Sequence, residues 1–205
     1  MIFNARAALL ALALCVLVAV PGCGSSKSPA AKNKARTYSG AVANPPKPAP
    51  PLVLNDSLGH PFDISKFRGK AVLVTFLYVH CPDVCPTITA NLHTALAKLG
   101  PAASKVQVVA VSADPKGDKP KAVAAFLAAH QMTGKMRYLI GSAGALQKVW
   151  RTWGIIAKRD PTTPAAVEHS GLVYGISGSG KITTLYPANF KPAQIVNDVP
   201  LLVSH

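Results

Sequence analysis

Acidic residues are scarce in this sequence: 8 aspartates and glutamates stand against 22 lysines and arginines, a formal charge of +14 over 205 residues. So basic a chain fits an anionic membrane surface or an acidic partner, and a merely soluble basic surface fits equally well. Cysteine is also scarce, at four residues, and two of them, Cys15 and Cys23, fall in the N-terminal region. A scaffold stapled by disulfides is thereby excluded, and the remaining pair, Cys81 and Cys85, reads as a site. With 49% hydrophobic and 15% charged residues the chain is not disordered, and its length leaves room for one globular domain plus extra segments. No internal repeat is visible.

Met1 to Arg6 is followed by an uncharged apolar run from Ala7 to Val20 and then by Pro21-Gly22-Cys23-Gly24-Ser25-Ser26. The run falls short of the roughly 20 residues that cross a bilayer, and small and chain-breaking residues follow it, which is the pattern of a signal peptide. Val20-Pro21-Gly22-Cys23 resembles the lipobox of bacterial lipoproteins, with Pro21 in place of the usual small or hydroxyl residue. The expectation is an exported protein whose Cys23 is lipidated on the outer face of the cytoplasmic membrane. Nucleic acid is a poor partner for such a chain. Residues 1–23 are thus a signal peptide and anchor cysteine, 24–51 a Pro/Lys/Ala-rich tether without apolar periodicity, and 52–205 the folded domain.

The domain alternates strand and helix. Ala71 to Val79 is a nearly continuous β-branched and aromatic run, as in a strand buried on both faces. Thr87 to Leu99 carries Ile88, Leu92, Leu96 and Leu99 on one helical stripe. A strand over Val106 to Val111, a helix over Lys119 to His130, a short strand over Arg137 to Ile140 and a helix from Ser142 to Trp153 follow. Gly171 to Ile176 and Lys181 to Tyr186 flank the turn Ser177-Gly178-Ser179-Gly180, and Pro192 to Val203 forms the last helix. This order predicts an α/β, thioredoxin-like fold with a mixed central sheet and helices on both faces.

His80-Cys81-Pro82-Asp83-Val84-Cys85-Pro86 lies at the carboxyl end of the strongest strand, where open α/β sheets place their sites. The spacing puts both sulfurs on one side of a helical turn, at a helix N-terminus that favours thiolate, so two reactive thiols on an exposed turn are expected. Thiolates prefer soft ions such as Cu(I) and imidazole accepts Cu(II), so a histidine beside the pair would let the site hold copper in both oxidation states. His169 precedes a strand of the same sheet, in the loop that faces the cysteine pair in thioredoxin folds.

The segment Phe76 to Pro86, the stretch Val111-Ser112-Ala113-Asp114-Pro115-Lys116-Gly117-Asp118 and Glu168-His169-Ser170 together resemble the motifs of the Sco/SenC family of copper-delivery proteins. The resemblance implies one copper per chain held by Cys81, Cys85 and His169, and delivery to the CuA centre in subunit II of cytochrome c oxidase. It is also consistent with a thiol reductant and another copper chaperone as partners. The family usually has a threonine where this chain has Lys119, which weakens the cap of the helix there.

His80 is a candidate for contact with the site from behind the ligands, while His60, His93, His130 and His205 read as surface histidines. Asp114 and Asp118 are expected either to cap the helix at Pro120 or to orient the site. Trp150 and Trp153 read as core. The competing activity is a thiol-disulfide oxidoreductase using Cys81 and Cys85 as a disulfide pair. Against it stand a three-residue spacer where redox thioredoxins have two, and Glu168-His169-Ser170 where they have a cis-proline. A peroxidase would need a Thr-x-x-Cys that this segment lacks.

Overall fold

The structure is a computed structural model, and it describes residues 36–159, 167–168 and 171–205. The expected signal peptide, Cys23, the first part of the tether and His169 lie outside the described residues. Everything described falls in one compact unit.

Ten strands and four helices are present among the described residues: β1 Ala41–Pro48, β2 Val53–Asp56, β3 Pro61–Asp63, β4 Ala71–Leu77, α1 Val84–Leu99, β5 Val106–Ser112, α2 Pro120–Ala129, β6 Met136–Ile140, α3 Ala143–Trp153, β7 Lys158–Arg159, β8 Val167–Glu168, β9 Leu172–Ile176, β10 Lys181–Pro187 and α4 Pro192–Ser204. Eight strands form one mixed sheet in the order β1-β10-β9-β4-β5-β6-β2-β3, and β7 pairs with β8 as a separate ribbon. β4 lies at the centre, parallel to β5 and antiparallel to β9.

All seven residues of β4 are buried, as a strand covered on both faces must be. Ala71, Leu73 and Leu77 face a layer built from α1, α2 and α4, including Ile88, Leu92, Val123, Phe126, Ile195 and Val199. Val72, Val74 and Phe76 face the opposite layer, where α3 contributes Leu146, Val149, Trp150 and Trp153. The period-2 alternation of the strand thus divides one sequence run between two cores. This is the thioredoxin-like, mixed-sheet architecture with helices on both faces. α3 is closed as expected: Ser142 accepts the Ala145 N–H at its start, and Gly154 is left-handed (φ 68°) at its end.

Part of the stretch expected to be tether is a strand. Ala41–Pro48, within the stretch expected to be linker, pairs antiparallel with β10 as an edge strand. Its prolines hide the strand from a periodicity reading, but proline is tolerated at a sheet edge, where its missing N–H faces no neighbour. The entry of this strand is fixed from α4. The buried Asp198 carboxylate accepts the N–H groups of Ser39 (2.7 Å) and Gly40 (2.8 Å), and a side chain on Gly40 would strike the ring of Tyr186. α1 also begins earlier than expected, at Val84, with Pro86 in its first turn, where no intrahelical N–H bond is lost. Among the described residues no helix is long and apolar enough to cross a membrane.

Candidate metal centre

β4 delivers the cysteine loop to the carboxyl edge of the sheet. After Leu77, whose carbonyl accepts the Ala113 N–H at 2.7 Å, the chain turns, and the Cys81 N–H bonds back to the Tyr78 carbonyl at 3.2 Å. Asp83 is the residue at the N-cap of α1, yet its side chain makes no capping bond. The capping acceptor is sulfur: the Cys85 N–H points at Cys81 Sγ, 3.4 Å away. Cys81 therefore takes up one of the orphan donors of the first turn, and the positive end of the helix lies against it.

Both cysteines are thiols, and they are more enclosed than the sequence suggests. Cys81 retains 8% of its surface and Cys85 none, within the same apolar layer as Tyr78, Ile88 and Leu92. The expected pair of reactive thiols on an exposed turn is thus corrected. The bond with Cys81 and then burial push the Cys85 thiol far above its ordinary range, against a bond from the Tyr78 N–H, so Cys85 holds its proton at neutral pH until something displaces it. Pro82 and Asp83 are exposed, as turn residues should be; Cys81 precedes α1 by three residues and Cys85 lies inside its first turn, on the buried face of the helix.

The two aspartates do not cap α2. Its N-cap, Lys119, makes no side-chain capping bond. Asp118 turns back toward the sheet instead: Oδ1 accepts the Val79 N–H (2.9 Å), and Oδ2 accepts the hydroxyls of Ser112 (2.6 Å) and Tyr138 (3.0 Å). Burial, with a smaller push from Asp114, raises the Asp118 carboxyl above the usual range although these three bonds favour its charged form. Asp114 accepts the Lys116 N–H at 3.1 Å and shapes the loop between them. Trp150 anchors the far side, donating from Nε1 to the Ser112 carbonyl at 3.0 Å. In the sequence Ser112 is marked only by the Ser-Ala-Asp stretch, Trp150 reads as core, and Tyr138 carries no signal of its place beside the site.

His80 is exposed and packs beside the same loop, where a Cβ on Gly117 would come within 3.2 Å of its ring. Of the expected surface histidines, His60 pairs loosely with Asp56 at 3.6 Å. His130 is half-buried, stacked on Phe126 at 4.4 Å, and burial lowers its pKa. His93 is half-buried as well. His169 is outside the described residues, but Gly171, two positions on, lies beside the start of α1: a Cβ on it would stand 3.7 Å from Val84 Cγ2.

Two soft sulfur donors on one turn, in apolar surroundings and beside a helix N-terminus, make a donor set suited to a soft monovalent ion of low coordination number. The sequence profile of the SCO1/SenC family matches residues 42–204, essentially all of the described unit. The chain belongs to the SCO1/SenC family. Among solved structures of this family it is similar to apo Sco1 of Thermus thermophilus, with a TM-score of 0.71 and 30% identity over 82% of this chain and 99% of that one. It is also similar to Bradyrhizobium japonicum ScoI, a structure with copper bound, with a TM-score of 0.67 and 26% identity over 76% of this chain and 99% of that one. The mouse mitochondrial SCO2 homolog is 29% identical over 154 residues, covering 71% of this chain and 58% of the relative. The chain spans roughly half to two thirds of the length of the first curated relatives it matches, 51% to 64%.

Proposed function

We propose that this SCO1/SenC protein is an exported, lipid-anchored metallochaperone that carries copper on Cys81, Cys85 and His169 and delivers it to the CuA centre in subunit II of cytochrome c oxidase. The approach of the Cys85 N–H to Cys81 Sγ, 3.4 Å at the N-terminus of α1, carries the reading. It puts two sulfurs on one turn, with Cys81 Sγ held against the positive end of the helix. The copper-bound Bradyrhizobium relative supports it.

Copper is the cargo. Cu(I) binding displaces the thiol protons, including the one that the bond with Cys81 and burial hold on Cys85, so loading releases protons to solvent. His169, far from the pair in sequence, completes the set for Cu(II). For release of Cu(I), two cysteines of the recipient can replace the two sulfurs that hold it one at a time, with no change of oxidation state.

Anaerobic titration of the purified full chain with Cu(I) should saturate at about one ion per chain. Prior oxidation to a Cys81–Cys85 disulfide should abolish uptake, because disulfide sulfur is a poor ligand. In cells lacking the protein, oxidases with a CuA centre should lose activity while quinol oxidases keep theirs. Unchanged oxidase activity in that strain would defeat the reading.

The adjacency of the two sulfurs also favours a second reading, dithiol reduction of the recipient. Cys81 and Cys85 would form one disulfide and give up two electrons and two protons, and a disulfide in the recipient would take them to become two thiols. Full rescue of the deletion strain by His169→Ala would select this alternative.

A further inference from the structure

The domain has turned its carboxylates inward. Asp56, Asp114, Asp118 and Asp198 are all buried, and each accepts backbone N–H groups. Asp63 is half-buried and caps a short 3-10 turn. Among the side chains described, Asp83 is the one exposed acid, while Lys66, Lys98, Lys105, Lys116, Lys119 and Lys148 are all exposed. Arg137 with Asp56 is the single lysine- or arginine-to-carboxylate pair among the described residues. Among the described side chains the surface charge is therefore mostly positive, a self-repulsion that an acidic surface would relieve.

Two of these cations border the cysteine loop. Lys116 and Lys119 flank Gly117 and Asp118, the former against the His80 ring and the latter bonded to the Val79 N–H. Lys119 Nζ donates to the Pro115 carbonyl at 3.0 Å and so stays on this rim. A flat bilayer against the rim would close off Cys81, which has 8% of its surface exposed. A protein face can bring carboxylates to the lysines and its own cysteines to the sulfurs at once.

Resting on the proposed function, we infer that the recipient docks on the cysteine end of this domain through an acidic face, and that Lys116 and Lys119 are the cations it engages. Charges at the far end of the sheet, such as Lys98 near the end of α1 and Lys105 just before β5, contribute only to the general field. Docking of this kind acts on the rate of encounter and is screened by salt.

The test follows copper transfer from the loaded full chain to the copper-free soluble CuA domain of subunit II, expressed per copper bound. Between about 0.01 M and about 1 M salt, over which the Debye length shrinks from about 30 Å to about 3 Å, the second-order rate should fall at least about tenfold. At low salt Lys116→Glu/Lys119→Glu should slow transfer about tenfold and flatten the salt dependence, whereas Lys98→Glu/Lys105→Glu should change it far less. A salt-independent rate, or equal slowing by both pairs, overturns the docking face and leaves the copper reading standing. No transfer at any salt overturns both. Loss of binding to phosphatidylglycerol vesicles in Lys116→Glu/Lys119→Glu, with transfer unchanged, assigns these cations to the membrane and overturns the inference.

Discussion

Asp118 accepts the Val79 N–H at 2.9 Å, two residues ahead of Cys81, and so ties the loop after β5 to the loop that carries the thiols. Its other oxygen collects the Ser112 and Tyr138 hydroxyls, making one buried carboxylate the meeting point of β4, β5 and β6. Removal of such a hub leaves several buried donors without an acceptor, and that is costlier than the bonds were stabilising.

Asp118→Ala should therefore destabilise the domain by about 2–4 kcal/mol in reversible denaturant unfolding, and Asp118→Asn, which keeps one acceptor oxygen, by less. A loss below about 0.5 kcal/mol for the alanine variant would show that the donors find other partners.

Cys81→Ser keeps an acceptor near the Cys85 N–H, so the start of α1 should survive with a stability change of no more than about 1 kcal/mol. The same variant should lose stoichiometric Cu(I), since a hydroxyl is a hard, protonated donor. Circular dichroism and metal analysis on one sample separate the two effects. Unaltered copper content would remove Cys81 from the ligand set.

His169→Ala should abolish the visible thiolate-to-copper absorption of the Cu(II) form while leaving Cu(I) uptake nearly intact, because two thiolates suffice for the monovalent ion. Equal loss of both states, or of neither, contradicts its assigned role.

Asp56 provides a pH test away from the site. Burial acts to raise its pKa, but the N–H groups of His60 and Leu58 and the Arg137 guanidinium outweigh it and hold the carboxyl below its ordinary 3.8. A depressed folded-state value means stability that is present above the unfolded pKa and lost as pH falls through the folded one. The stability gap between the unmodified chain and Asp56→Asn should be fully open near neutrality and should close below about pH 4. A gap unchanged from neutral to acid pH would mean that the charge on Asp56 contributes nothing.

Cys23→Ser should move the protein from the membrane to the soluble exported fraction. Retention in the membrane would assign the attachment to another segment.

The sequence by itself determined the central strand, the order of the larger elements from β4 to α4 though not the short strands β2, β3, β7 and β8, the hairpin and the caps of α3, because each depends on local periodicity or on a turn residue with one conformational use. It also determined where the thiols lie along the chain, through the motif that links Cys81 and Cys85 to the carboxyl end of β4. Tertiary structure alone decided that Ala41–Pro48 is a strand, since its backbone acquires partners only when β10 lies alongside. It alone decided that Asp118 accepts from Val79 and not from the helix that follows it, because the choice of a donor 39 residues away depends on how β4, β5 and β6 stack. The enclosure of Cys85 was settled in the same way: exposure is a property of what packs above a residue, and the turn residues around it carry no record of that.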